Sequence, residues 1–259
     1  MANSSLSDES LQGVIDISGQ RALEIDITYA CNMGCIQCNR ALGIFPSTER
    51  MTVEQIEIVL HESLMLTKPY RMIRILGGEP TLHPHIADIV TVLEKYYTQV
   101  ENCEISLWTN GGGNQVKRVL VKLPHWIRVR VSPKKRKAGG EGFEPFLVAP
   151  IDYPGYHDND FSHGCKQIAP GKCGVGVSLY GIYVCPIAAA IDRIIGVNIG
   201  IKNLVEVSNK NFRQQCEQLC RFCGHFLFDR GVEFDLETIS STWKKLIIEH
   251  ETTERQLNS

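Results

Sequence analysis

The sequence predicts an α/β fold: a partial (β/α) TIM-like barrel of about five or six parallel strands, followed by a small cysteine-rich domain. Three observations predict it. Strand-like and helix-like segments alternate through the first half of the chain. A tight C-x3-C-x2-C loop follows the first strand, and Gly77-Gly78-Glu79-Pro80 follows the second. From Gly155 onward the pattern changes, and six of the ten cysteines fall between Cys165 and Cys223.

The first strand is read at 22–28, where Leu23, Ile25 and Ile27 alternate with polar residues. Thr52-Val53-Glu54-Gln55 has the form of a capping box that opens a helix to about residue 64. A strand follows at 71–76, a helix at 85–97, a strand at 103–109 and a helix at 115–123. Further strands are expected at 127–132 and at 146–151, the second being a short apolar run. Alternation of this kind calls for a parallel sheet with right-handed crossovers, and the site is expected at the C-terminal strand ends. The basic and then Gly-rich stretch 133–142 reads as a loop, and a C-terminal helix is expected at 238–249. The expected division is an extension at 1–20, the barrel at 21–155, the cysteine-rich domain at 156–230, and a helix and tail at 231–259.

At 259 residues the chain can bury an ample core, and a formal charge of −2 makes no general case for nucleic acid. The start of the chain is polar, without the basic and apolar parts of a secretory signal, and no apolar run reaches about 18 residues. A cytoplasmic protein with no membrane partner is expected. Ten cysteines without an export signal point to metal or redox chemistry rather than to a disulfide framework.

Cys31, Cys35 and Cys38 can hold three corners of a [4Fe-4S] cube, and the next cysteine in the chain is Cys103. One iron is then open to another ligand. Zinc is the alternative if His61 or His83 supplies a fourth donor. With Gly77-Gly78-Glu79-Pro80 included, the first half resembles the radical S-adenosylmethionine (SAM) superfamily. The resemblance implies that the open iron chelates SAM, and that the reduced cluster cleaves it to a 5′-deoxyadenosyl radical. It also implies a reductant of flavodoxin or ferredoxin type. The Gly77 to Pro80 edge would receive the SAM amino group, Thr109 and Asn110 match a frequent Thr-Asn-Gly, and Ser132 stands where a polar residue meets the SAM ribose. Gln37 replaces the aromatic residue that usually precedes the last cysteine, and its amide could hydrogen-bond beside the adenine instead.

The spacing recurs at Cys216, Cys220 and Cys223, but that triplet has no strand before it and no Gly-Gly-Glu-Pro after it. With Cys165, Cys173 and Cys185, it resembles the SPASM/twitch extensions that bind auxiliary [4Fe-4S] clusters, and the shorter twitch form fits better. The resemblance implies Cys165, Cys185, Cys220 and Cys223 as metal ligands. Cys173 could replace Cys165, Cys216 could replace either, and zinc on the same four thiolates is an alternative.

A strand order of this kind with one twitch-type cluster resembles the radical SAM dehydrogenases of aminocyclitol antibiotic biosynthesis. It implies oxidation of a small-molecule alcohol to a ketone, with the second cluster accepting an electron. The competing expectations are thioether formation or epimerisation of a ribosomal peptide, and a non-enzymatic iron-sulfur or zinc redox or interaction module. Tyr153, Tyr156, His157, Asp158, Asp160 and His163 are candidate substrate contacts, with a solvated loop as their plainer reading.

Overall fold

The computed structural model describes residues 22–132, 146–168, 172–235 and 237–257. The expected extension at 1–20 and the basic loop at 133–142 lie outside them. The elements run β1 (Ala22–Thr28), α1 (Val53–Met65), β2 (Met72–Gly77), α2 (Ile86–Gln99), β3 (Glu104–Thr109), α3 (Asn114–Leu120), β4 (Ile127–Val131), β5 (Val175–Ser178), β6 (Gly181–Tyr183), α4 (Pro186–Ile195), α5 (Asn209–Leu219), α6 (Gly224–Phe228) and α7 (Ser241–Leu257). One six-stranded sheet has the order β4-β3-β2-β1-β5-β6. Its first five strands are parallel, and β6 closes an antiparallel hairpin with β5.

The capping box forms as read: Gln55 N–H donates to Thr52 Oγ1, and Thr52 N–H donates to Gln55 Oε1. Register divides the sheet into two chemically distinct faces. Leu23, Ile25, Ile27, Ile73, Ile75, Ile105 and Leu107 are buried on the face covered by α1 and α2. Each such side chain contributes roughly 1.5–3 kcal/mol on leaving water. The opposite face carries Glu24, Asp26, Arg74, Ser106, Trp108, Arg128 and Arg130, which is the concave, site-bearing side.

Residues 146–151 do not form the fifth strand. Phe146, Leu147, Val148 and Ala149 are fully buried, so the apolar signal was genuine, but their backbone is irregular and ends in a 3-10 turn at Pro150–Asp152. Side chains satisfy the donors a sheet neighbour would have taken. Gln37 Oε1 accepts from Phe146 N–H and Leu147 N–H, and Ser240 Oγ accepts from Ala149 N–H. The fifth parallel strand is β5, which pairs with β1 on the other side of the sheet. Thus the cysteine-rich segment continues the sheet through β5 and β6. The last helix is α7, starting at Ser241, with Trp243 buried against Phe45 and Phe146.

Candidate cluster and cofactor site

The loop after β1 is a run of tight turns. Cys38 N–H donates to Cys35 O, and Ala41 N–H donates to Cys38 O. These turns set Cys31, Cys35 and Cys38 on the wall of a cavity of about 330 Å³, together with Gly77, Gly78, Thr109, Asn110 and Ser132. The residues singled out at the ends of four different strands therefore converge. Burial pushes the Cys31 thiol up to about 11, and negative charge on Cys38, Glu79 and Cys35 adds to it, against a lowering hydrogen bond from the Met33 backbone. A cation bound beside Cys31 would favour its thiolate against this burial.

Gly77 and Gly78 are needed for contact within the chain as well as for the cavity. Gly77 has φ +126°, and a Cβ there would stand 2.2 Å from Thr28 O; on Gly78 it would stand 2.4 Å from Ala30 O. Gly78 N–H and Glu79 N–H donate to Thr28 O and Ala30 O, which docks the edge onto the cysteine loop. Glu79 is fully buried and does not line the cavity. Its carboxylate accepts from Thr81 N–H and Oγ1, from Thr109 Oγ1 and from Asn110 N–H. Pro80 is buried and opens a 3-10 turn at Pro80–Leu82. The two last residues of the motif thus hold its two glycines from behind.

Asn32 was missed in the sequence. Its Oδ1 accepts from Asn110 Nδ2, and its Nδ2 donates to Gly112 O, which ties the cysteine loop to the end of β3. Gln37 does not face the cavity. It is buried, clamps Phe146 and Leu147, and donates to Thr238 O, so no amide stands where the aromatic was absent. His61 is exposed on α1. His83 has both ring nitrogens engaged, Nε2 to Met51 O and Nδ1 as acceptor from His85 N–H, so it is a structural residue. Neither offers zinc a donor beside the cysteine loop.

Three separate segments bring the C-terminal thiols together. Cys185 is the N-cap of α4, where its Sγ accepts from Ala188 N–H, and Cys223 is the N-cap of α6. Cys220 opens the 3-10 turn between α5 and α6. Burial raises Cys165 far above the usual thiol range, and so do the charges of the nearby Cys220, Cys223 and Cys185. Cys220 is raised first by its hydrogen bond with Cys216 and then by burial. Cys173 instead borders Glu24 and Cys185 and lines the cavity of the first triplet. None of the ten cysteines is in a disulfide. Among the described residues no three His, Cys, Asp or Glu side chains converge on a point where one metal ion could sit.

Residues 25–132 match the Radical SAM superfamily. The segment is a radical SAM domain. Proteins of this superfamily use a [4Fe-4S] cluster and SAM. It is 28% identical over 123 residues to the GTP 3′,8-cyclase of Paenarthrobacter nicotinovorans, a match covering 46% of this chain and 34% of the relative. The chain spans about a third of the length of such curated relatives. Among solved structures, Streptococcus suis SuiB bound to precursor peptide SuiA matches at 19% identity and a TM-score of 0.35, over 44% of this chain and 24% of SuiB. BtrN in complex with AdoMet and 2-DOIA matches at 13% identity and a TM-score of 0.46, over 79% of this chain and 92% of BtrN.

The candidate substrate contacts at 153–163 are not brought to the radical SAM domain's cavity. Tyr153 packs on Phe234 and Tyr156 on Phe226, His157 Nδ1 bonds Ile151 O, Asp160 accepts from Ser162 N–H, His163 lies 3.8 Å from Asp160, and Asp158 is exposed. Beyond Cys31, Cys35 and Cys38, the cavity's ionisable and aromatic groups are instead Glu24, Arg40, Arg74, Trp108, Cys173 and His225. The signal available for them was the charge at alternate positions of β1, Glu24 and Asp26, which a strand buried on both faces does not carry without partners. Arg40 supplies one partner in a bidentate pair with Asp26 at 2.9 Å, and Arg74 pairs with Glu24. No helix among the described residues is long and apolar enough to cross a membrane.

Proposed function

We propose that this radical SAM enzyme is an oxidoreductase that converts an alcohol to a ketone. In this reading Cys31, Cys35 and Cys38 hold the SAM-binding [4Fe-4S] cluster, while Cys165, Cys185, Cys220 and Cys223 hold a second one. When bound, the first cluster and SAM supply a hydrogen-abstracting 5′-deoxyadenosyl radical, and the second cluster supplies a one-electron acceptor.

The proposal stands on one cavity that is lined by the first thiol group and by chain neighbours of the second. Cys31, Cys35 and Cys38 form one wall, and Pro186, Ile187 and His225, each within two residues of Cys185 or Cys223, form another. A substrate there would meet hydrogen abstraction on one side and an electron acceptor on the other. Gly77 and Gly78 receive the SAM amino group, with Glu79 and Pro80 fixing that edge. Thr109, Asn110 and Ser132 bound the nucleoside end. The hydroxyl proton must leave as the ketone forms, and Glu24 is the carboxylate in the cavity that can accept it.

The test is anaerobic incubation of the reconstituted protein with SAM, a strong reductant and a panel of polyol and amino-alcohol substrates. The proposal expects 5′-deoxyadenosine and ketone in equal amounts. Release of 5′-deoxyadenosine with a redox-neutral product would leave radical chemistry and exclude the oxidation.

A further inference from the structure

Positive charge is unevenly distributed over the concave face of the sheet. Near β1 each guanidinium has its own carboxylate: Arg40 lies on Asp26, and Arg74 on Glu24. At the other edge Arg128 and Arg130 share Glu104, at 3.3 and 3.9 Å, and their side chains are 61% and 49% exposed. Among the described residues this leaves an excess of about one positive charge on β4. Arg130 pairs in register with Trp108, and Arg128 with Ser106. Trp108 is 39% exposed, yet it lines the cavity that holds Cys31, Cys35 and Cys38. Ser106 Oγ accepts from Trp108 Nε1, which ties the polar edge of the indole to the sheet. A large apolar ring is thus presented to the cavity beside a partly neutralised pair of arginines.

We propose that Trp108, which lines the cavity, and Arg128 and Arg130, which stand beside it on β4 outside that lining, together recognise the substrate, and that the substrate is an anion carrying a carboxylate or phosphate next to a flat or apolar face. The proposal rests on the radical SAM reading of the cavity and names the class of molecule that enters it. The guanidinium fork matches both anions in a bidentate way, and the indole supplies contact area at little cost in side-chain entropy. Glu104 keeps the two cations together without cancelling them. The ion pairs near β1 carry no net charge and would not compete for the anion. From β4 to the Gly77–Gly78 edge of β2 is two strand spacings, roughly 10 Å, so the anionic group lies about that far from the SAM amino group.

The experiment is calorimetric titration of the reconstituted, SAM-loaded protein with phenyl phosphate, phenylacetate and the uncharged benzyl alcohol. At least one anion is expected to bind tenfold or more tightly than benzyl alcohol, and the tighter of the two identifies the natural head group as phosphate or carboxylate. The double variant Arg128→Gln/Arg130→Gln is expected to bind the anions no better than benzyl alcohol, while Arg128→Lys/Arg130→Lys retains part of the preference, a rescue that a misfolded protein would not give. Trp108→Ala is expected to weaken phenyl phosphate tenfold and inorganic phosphate less than twofold. Equal binding of charged and uncharged probes, no binding of either anion at millimolar concentration, or an unchanged preference in the Arg→Gln pair would overturn the proposal. SAM binding is titrated on the same wild-type sample. Its absence would defeat the radical SAM site while leaving the anion preference to be read, and its presence without that preference would defeat recognition by Trp108, Arg128 and Arg130 alone.

Discussion

The buried carboxylate of Glu79 accepts from both Thr109 Oγ1 and the Asn110 N–H, so the motif after β2 and the motif after β3 are one hydrogen-bonded unit. Asn110 passes the connection to Asn32 in the cysteine loop. Three strand ends are thereby fixed relative to one another before any cofactor binds.

Removing that carboxylate leaves Thr81, Thr109 and Asn110 with buried donors and no acceptor. Glu79→Ala is expected to lower stability by about 2–3 kcal/mol, measured by denaturant unfolding of the protein. SAM affinity should fall along with it, since Gly77 and Gly78 lose their support. Unchanged stability would mean that water or another acceptor replaces the carboxylate.

Cys35→Ala is expected to abolish SAM cleavage while the C-terminal cluster still assembles. The check is 5′-deoxyadenosine release alongside iron content. Retained cleavage would remove the first triplet from its proposed role.

Replacing Cys220 and Cys223 together is expected to leave some SAM cleavage and to stop substrate oxidation. The two products are measured in the same reaction. Full ketone formation in that variant would argue against an electron-accepting second cluster.

Burial lowers the pKa of His83 below its ordinary 6.5, against a raising hydrogen bond to Met51 O. The unfolded chain then binds the proton more readily than the folded one. Stability contributed by neutral His83 is present above about pH 6.5 and is lost as the pH falls toward the folded value. Unfolding curves between pH 7.5 and 5 should show this decline, and His83→Gln should flatten it. An identical slope in the variant would assign the decline to other groups.

The first half of the chain was legible because each signal was local. Leu23, Ile25 and Ile27 alternate, Thr52 and Gln55 cap a helix, and the three cysteines sit on one short loop. Residues 146–151 misled because an apolar run marks burial and not hydrogen-bond pairing, and the acceptor that replaced a strand, Gln37, lies over a hundred residues away in sequence. β5 was hidden by its brevity, Val175–Ser178, and by Gly176 in its middle. Gly176 is required there, since a Cβ would stand 2.4 Å from Pro186 N beside the Cys185 turn. Cavity residues such as Trp108 and Arg74 are set by sheet register, which sequence spacing alone does not fix.

The central claim, two iron-sulfur clusters around one cavity, is tested most directly by iron and sulfide analysis with Mössbauer spectra on anaerobically reconstituted protein, wild type against the Cys31→Ala/Cys35→Ala/Cys38→Ala variant. About eight irons in two [4Fe-4S] clusters are expected, falling to about four in the variant. About four irons falling to none, with zinc retained on the C-terminal thiolates, would contradict it.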